Sequence, residues 1–186
     1  MAVILGLDAG FASLGWAAVA LMPDGPRLSA LGVLRTGKGR ASTLATEDNA
    51  QRARILWRGL RKIAEQWQPS AIAVESISWP RNAGVTGKMG IAWGMIFALA
   101  EHHRMPLIHT SPKEIKRAVT GRADASKEDV LAGLVARRGF GGHLLDDLRA
   151  ADIPEGQWEH PVDAAAAIVA ALDTDVVRAL WRGRAP

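Results

Sequence analysis

The chain has 186 residues, 48% of them hydrophobic, and a formal charge of +4. That length suits one domain with a real core, and the absence of cysteine excludes disulfide scaffolds, thiol catalysis and Cys-based zinc sites. No uninterrupted apolar run approaches the ~18 residues of a membrane span, and the N-terminus reaches Asp8 without a charged segment ahead of its apolar one. The expectation is a single domain over 1–186, cytoplasmic, with 182–186 as a frayed tail.

Residues 2–8, Ala-Val-Ile-Leu-Gly-Leu-Asp, read as a buried strand ending in a carboxylate. Trp16–Leu21 and Leu28–Thr36 read as two more, joined by the turn Pro23-Asp-Gly-Pro26, so the first three strands form an antiparallel meander. The period then becomes helical. Between Leu44 and Trp67, residues Ile55, Leu56, Leu60, Ile63, Ala64 and Trp67 make an apolar stripe, and Arg54, Arg58, Arg61 and Lys62 fall mostly on other faces. From Gln51 to Lys62 there are five basic residues, Arg52 included, and no acidic one.

Ala71–Glu75 is a second buried strand ending in a carboxylate. Ser76–Lys88, with its Pro, Gly, Asn and Ser, reads as a mobile loop, and Met89–His103 as an apolar helix. Leu107–Thr110 is a short strand. Ser111-Pro-Lys-Glu114 and Ser126-Lys-Glu-Asp129 are helix-opening signals, the first with Pro at its first helical position. Gly139–Gly156 reads as loop with room for a short helical turn, and His160-Pro161 opens a last helix running to about Trp181.

Two strands thus end in acids, Asp8 and Glu75. If strands one and four are neighbours, these carboxylates meet at one end of the sheet. His160 and Asp163, at i and i+3, share a helix face. Three carboxylates and an imidazole around one cleft suit a hard divalent cation, Mg2+ or Mn2+. Taken singly, each has a plainer reading. A strand-end acid is a cap or ion-pair partner, His160 an N-cap, and Asp163 an acid in a helix's first turn.

Leu5-Gly-Leu-Asp8-Ala-Gly10 through Gly15-Trp16, Ala73-Val-Glu75, Ile115-Lys116 through Gly121, Ala125-Ser-Lys127 and His160-Pro-Val-Asp163 resemble, in order, the RuvC family of Holliday-junction resolvases. That resemblance implies an α/β ribonuclease H-like fold: a five-stranded mixed sheet, its first three strands antiparallel and the rest parallel, flanked by helices. It implies a homodimer that nicks four-way DNA junctions symmetrically in recombination and repair, leaving a 5′-phosphate and a 3′-hydroxyl. Asp8, Glu75, His160 and Asp163 would hold the metal, two Mg2+ ions per site with Mn2+ able to substitute. Lys116 and Lys127 would approach the DNA backbone near the cut, where cations stabilise developing negative charge.

The family carries an aromatic wedge three residues after the matched glutamate. Here Ser78 stands there and Trp79 follows it. Trp79 is the candidate for stacking on opened bases, with Arg81 and Lys88 flanking the loop for phosphates. Residues 89–103 resemble the dimer-interface helix. The alternatives are a related nuclease for other branched DNA or RNA, a nucleotide-binding domain of the actin or sugar-kinase type built on Asp8-Ala-Gly10, and a non-catalytic junction binder.

Overall fold

The computed structural model describes residues 1–77 and 82–183. Its centre is a five-stranded sheet of order β3-β2-β1-β4-β5, comprising β1 (Ala2–Asp8), β2 (Ser13–Met22), β3 (Gly25–Arg35), β4 (Ala71–Glu75) and β5 (Leu107–Thr110). β1, β2 and β3 pair antiparallel, whereas β4 joins β1 and β5 joins β4 in parallel. The expected mixed sheet is present, β1 has its expected bounds, and β2 and β3 run longer than their apolar runs suggest. The turn residues Pro23 and Asp24 are flanked directly by the ladder pair of Met22 and Gly25.

Alternation along the strands gives the sheet two different faces. Ala2 and Ile4 of β1, Ala17 and Val19 of β2, and Ala71 and Ala73 of β4 face α6 (Glu159–Ala171). Leu5, Leu7, Leu14, Ile72 and Val74 face α1 (Ala45–Trp67) and α2 (Ala83–His102). The α1 stripe packs through Leu56, Leu60 and Ile63. Two details of that helix depart from the sequence reading. Ile55 is exposed, and Arg52 is only 5% exposed rather than part of a solvated basic face.

α2 begins at Ala83, six residues before the expected start. The Asn82 side chain accepts a hydrogen bond from the Val85 backbone N–H at 3.1 Å, capping a segment whose Gly84 and Gly87 read as loop. By length and composition alone α2 could cross a membrane, with mean hydropathy 1.3. It carries Lys88, however, and its Trp93, Ile96 and Leu99 lie in the core.

Both helix-opening signals hold. Ser111 and Glu114 form a reciprocal capping box on α3 (Pro112–Thr120), and Ser126 and Asp129 do so on α4 (Lys127–Ala136). The 139–156 segment contains α5 (Leu144–Ala150), whose Leu144 and Leu148 are fully buried. The single last helix is in fact two, α6 and α7 (Asp175–Arg182), because Thr174 caps a new start with its hydroxyl accepting from the Val177 N–H at 3.4 Å.

Candidate active site

The β1–β4 register pairs Gly6 with Ala73 and Leu7 with Val74. One step further, Asp8 and Glu75 stand side by side at the C-terminal ends of neighbouring parallel strands. Strand spacing there is about 4.8 Å, and both side chains point to the α6 face. Crevices beyond the carboxyl ends of parallel strands are where α/β sheets bind ligands.

The third and fourth groups arrive because α6 lies unusually close to the sheet. A Cβ on Gly6 would stand 2.1 Å from the Ala164 carbonyl oxygen, and one on Gly15 would stand 2.2 Å from the His160 carbonyl oxygen. No residue but glycine fits at either position without displacing the helix. The helix answers with small side chains, since Ala164 to Ala167 are all fully buried. That close seating brings His160 Nδ1 to 2.7 Å from Asp8 Oδ2 across 152 residues of sequence. His160 is therefore not a cap. It sits inside the first turn of α6, whose N-cap is Trp158.

The electrostatics show what the cleft lacks. Burial, then the negative charge of Asp8, push the Asp163 carboxyl up to about 7. Burial and Asp8 raise Glu75 as well, while Lys127 and Lys116 pull it back. Asp8 instead raises the His160 imidazole by accepting its hydrogen bond. Two carboxylates that resist ionising beside a third form a site short of positive charge. Among the described residues no three donor side chains are already drawn into a closed metal cluster. The set still suits a hard cation: three carboxylates supply oxygen, and His160 Nε2 makes no hydrogen bond among the described residues.

Lys116 on α3 and Lys127 at the start of α4 both stand close enough to act on Glu75. Lys127 has a partner that the sequence reading missed. It is ion-paired with Glu159, the residue just before His160, and this contact raises the Lys127 ammonium and lowers the Glu159 carboxyl. No local pattern announces a pair 32 residues apart. Lys88 lies on α2 and lines a different pocket, with Phe11, Thr36 and Arg52. Trp79 and Arg81 fall outside the described residues.

The profile of the family described as crossover junction endodeoxyribonuclease RuvC matches residues 4–138. That span contains Asp8, Glu75, Lys116 and Lys127 and stops short of His160 and Asp163, which the fold then adds. The RuvC endonuclease of Pseudothermotoga lettingae is 31% identical over 128 residues, covering 69% of this chain and 75% of that one. The Moorella thermoacetica protein of the same name is 32% identical over 128 residues, covering 69% and 72%. The Thermus thermophilus RuvC structure aligns with a TM-score of 0.68 at 26% identity, over 90% of this chain and 92% of that one. The yeast mitochondrial Holliday junction resolvase shares the fold, with a TM-score of 0.63 at 16% identity over 97% and 80%. With a profile match across most of its length and relatives above 30% identity, this chain belongs to the RuvC family of crossover junction endodeoxyribonucleases.

Proposed function

We propose that this protein resolves four-way DNA junctions by paired metal-dependent nicks, as a homodimer, in recombination and repair. Thermus thermophilus RuvC, similar to this chain with a TM-score of 0.68, has been solved in complex with a Holliday junction substrate. The observation that carries the reading is the meeting of Asp8, Glu75, His160 and Asp163 at one end of the sheet. In this reading these four hold Mg2+, two ions per site. Bound there, the metal supplies Lewis-acid activation of water and stabilises the leaving oxygen.

The chain's own groups prepare that chemistry. Asp163, half-protonated near neutrality when metal-free, gives up its proton as cation binds. The hydrogen bond from His160 Nδ1 fixes the imidazole against Asp8 and leaves Nε2 open. Lys116 and Lys127 bring positive charge to the Glu75 side of the cleft, where a phosphate must lie. Water oxygen bonds to phosphorus, the P–O3′ bond breaks and the 3′ oxygen takes a proton, giving a 5′-phosphate and a 3′-hydroxyl. In this reading Trp79 stacks at the opened junction centre and Arg81 reaches phosphates beside it. The outer face of α2, with Phe97 45% exposed, supplies part of the dimer contact.

The test is cleavage of a synthetic four-way junction beside linear duplex, fork and RNA–DNA hybrid, with and without Mg2+. Paired symmetric nicks confined to the junction and dependent on Mg2+ are expected. Equal cutting of duplex or hybrid would assign the cleft to a different substrate.

A further inference from the structure

Around the corner from the catalytic cleft, the β1–β2 turn, the end of β3 and helices α1 and α2 surround an open pocket of about 370 Å3. Its lining includes Phe11, Thr36, Lys38, Arg52 and Lys88, and among the described residues no acid lines it. Three cations thus face one hollow.

Arg52 is the centre of the pocket and is only 5% exposed. A buried arginine needs acceptors for its charge and its fork of donors. Its Nε donates to Thr36 Oγ1 at 2.9 Å, Thr36 in turn donates to the Phe11 carbonyl at 2.7 Å, and the guanidinium lies 4.6 Å from the centre of the Phe11 ring. These contacts aim the group. Asp48 Oδ2 forms an ion pair with Nη1 at 3.7 Å, longer than a hydrogen bond, and the other Asp48 oxygen accepts from the Gly39 N–H at 2.7 Å. Among the described residues neither Nη makes a hydrogen bond. A pre-aimed, desolvated guanidinium fork flanked by two lysines matches the geometry of a phosphate.

We infer that this pocket is a second phosphate site, which takes a backbone phosphodiester of the same DNA strand that enters the catalytic cleft. The inference rests on the reading of that cleft as a junction nuclease site. Phe11 lies three residues past Asp8, so their Cα atoms stand at most about 11 Å apart, which places the wall of the pocket within a few nucleotides of rise of the cleft. A phosphate anchored there fixes the strand's register relative to the scissile bond without reading sequence.

The experiment measures affinity for a labelled four-way junction by anisotropy, without divalent metal, between roughly 50 and 200 mM salt. Lys38→Ala/Lys88→Ala leaves the buried Arg52 in place and keeps the thermal midpoint of the wild type. It is expected to bind about tenfold more weakly and to lower the salt slope by about 1.8, the value for two lost phosphate contacts. Arg52→Lys keeps the charge and loses the fork, so affinity falls several-fold with little change in slope. A junction carrying one uncharged methylphosphonate within three nucleotides of the cut binds the wild type more weakly, and the loss is smaller in the double variant, where Arg52 alone remains to pair with that phosphate. Coincident salt slopes, with metal-dependent cutting intact, overturn the pocket's role. So does competition by inorganic phosphate at the pocket without any effect on the slopes, which would make it a free-anion site. Failure of the wild type to cut junctions at all would instead remove the cleft reading on which the inference stands.

Discussion

The two faces of the sheet are packed by opposite means. Against α1 and α2 the contact is made of bulk, with Leu5, Leu7, Leu14, Leu56, Leu60, Trp93 and Leu99 all at most 2% exposed. Against the first turns of α6 it is made of near-absence, Gly6 and Gly15 on the sheet and Ala164 to Ala167 on the helix, while Ile4, Val19 and Leu21 add bulk to the same face. Large side chains contribute more buried area, roughly 25 cal/mol per Å2 of apolar surface. Small ones contribute less but let two backbones approach. Both faces hold the fold together, the second through Phe140, Leu144 and Leu148 as well. The second gives up apolar area to bring His160 and Asp163 within reach of Asp8 and Glu75. The candidate catalytic set lies on the α6 side alone.

The largest expected effect falls on the α6 side. Asp8→Asn removes one carboxylate charge at nearly constant shape, so junction cleavage should drop by more than about 100-fold while junction binding persists. Single-turnover cleavage and anisotropy measure the two separately, and cleavage above about a tenth of wild type would remove Asp8 from the metal set.

A paired experiment sharpens the contrast between faces. Gly15→Ala forces a Cβ against the His160 backbone. It should cost about 1–3 kcal/mol in overpacking and about 100-fold in cleavage, since ~1 Å misplacements do so. Leu60→Ala, on the other face, should cost about 2–5 kcal/mol in stability and leave cleavage well below its melting temperature within about threefold of wild type. Denaturant melts and cleavage rates on both variants decide it. Comparable catalytic losses would erase the division of labour.

Much of this was legible in the sequence. The two strand-end acids, both capping boxes and the five strands each have a local signature in period or residue type. The α2 start was hidden because Gly84 and Gly87 read as loop, whereas one Asn82 cap decides the matter. The break before α7 depends on a single Thr174 hydroxyl. The burial of Arg52 was illegible because it depends on Thr36 and Phe11, 16 and 41 residues away. The Lys127–Glu159 pair was hidden for the same reason. The glycines at 6 and 15 were visible, but their purpose appears only when a helix more than 140 residues later lies against them.

A subtler effect concerns pH in the metal-free protein. The fold raises Asp163 from the ordinary carboxylate range to about 7, and raises Glu75 in the same direction. Folding therefore favours their protonated forms. The stability they contribute is fully present below about pH 4 and is lost as pH rises through about 7. Thermal midpoints in chelator should fall across that interval, Asp163→Asn should flatten the fall, and saturating Mg2+ should reverse it. A midpoint that rises with pH through this window, and keeps rising in Asp163→Asn, would contradict the charge-starved cleft.

The smallest effect belongs to the pair at the cleft's rim. Lys127 and Glu159 are both substantially exposed, and such pairs contribute at most about 1 kcal/mol. Glu159→Gln should leave the melting temperature within about 2 °C and strengthen junction binding several-fold, since it frees a lysine beside the phosphate path. Weaker binding would show that Glu159 orients Lys127 for DNA rather than competing with it.

The central claim is that residues from β1, β4 and α6 make one cation site. It is tested most directly by titrating the protein with Mn2+ at pH 6.5 and following free ion by electron paramagnetic resonance. Saturable binding with release of protons is expected for the wild type, with strong weakening in Asp8→Asn and in Asp163→Asn alike. Saturable binding that survives both substitutions unchanged would contradict it and place the metal elsewhere.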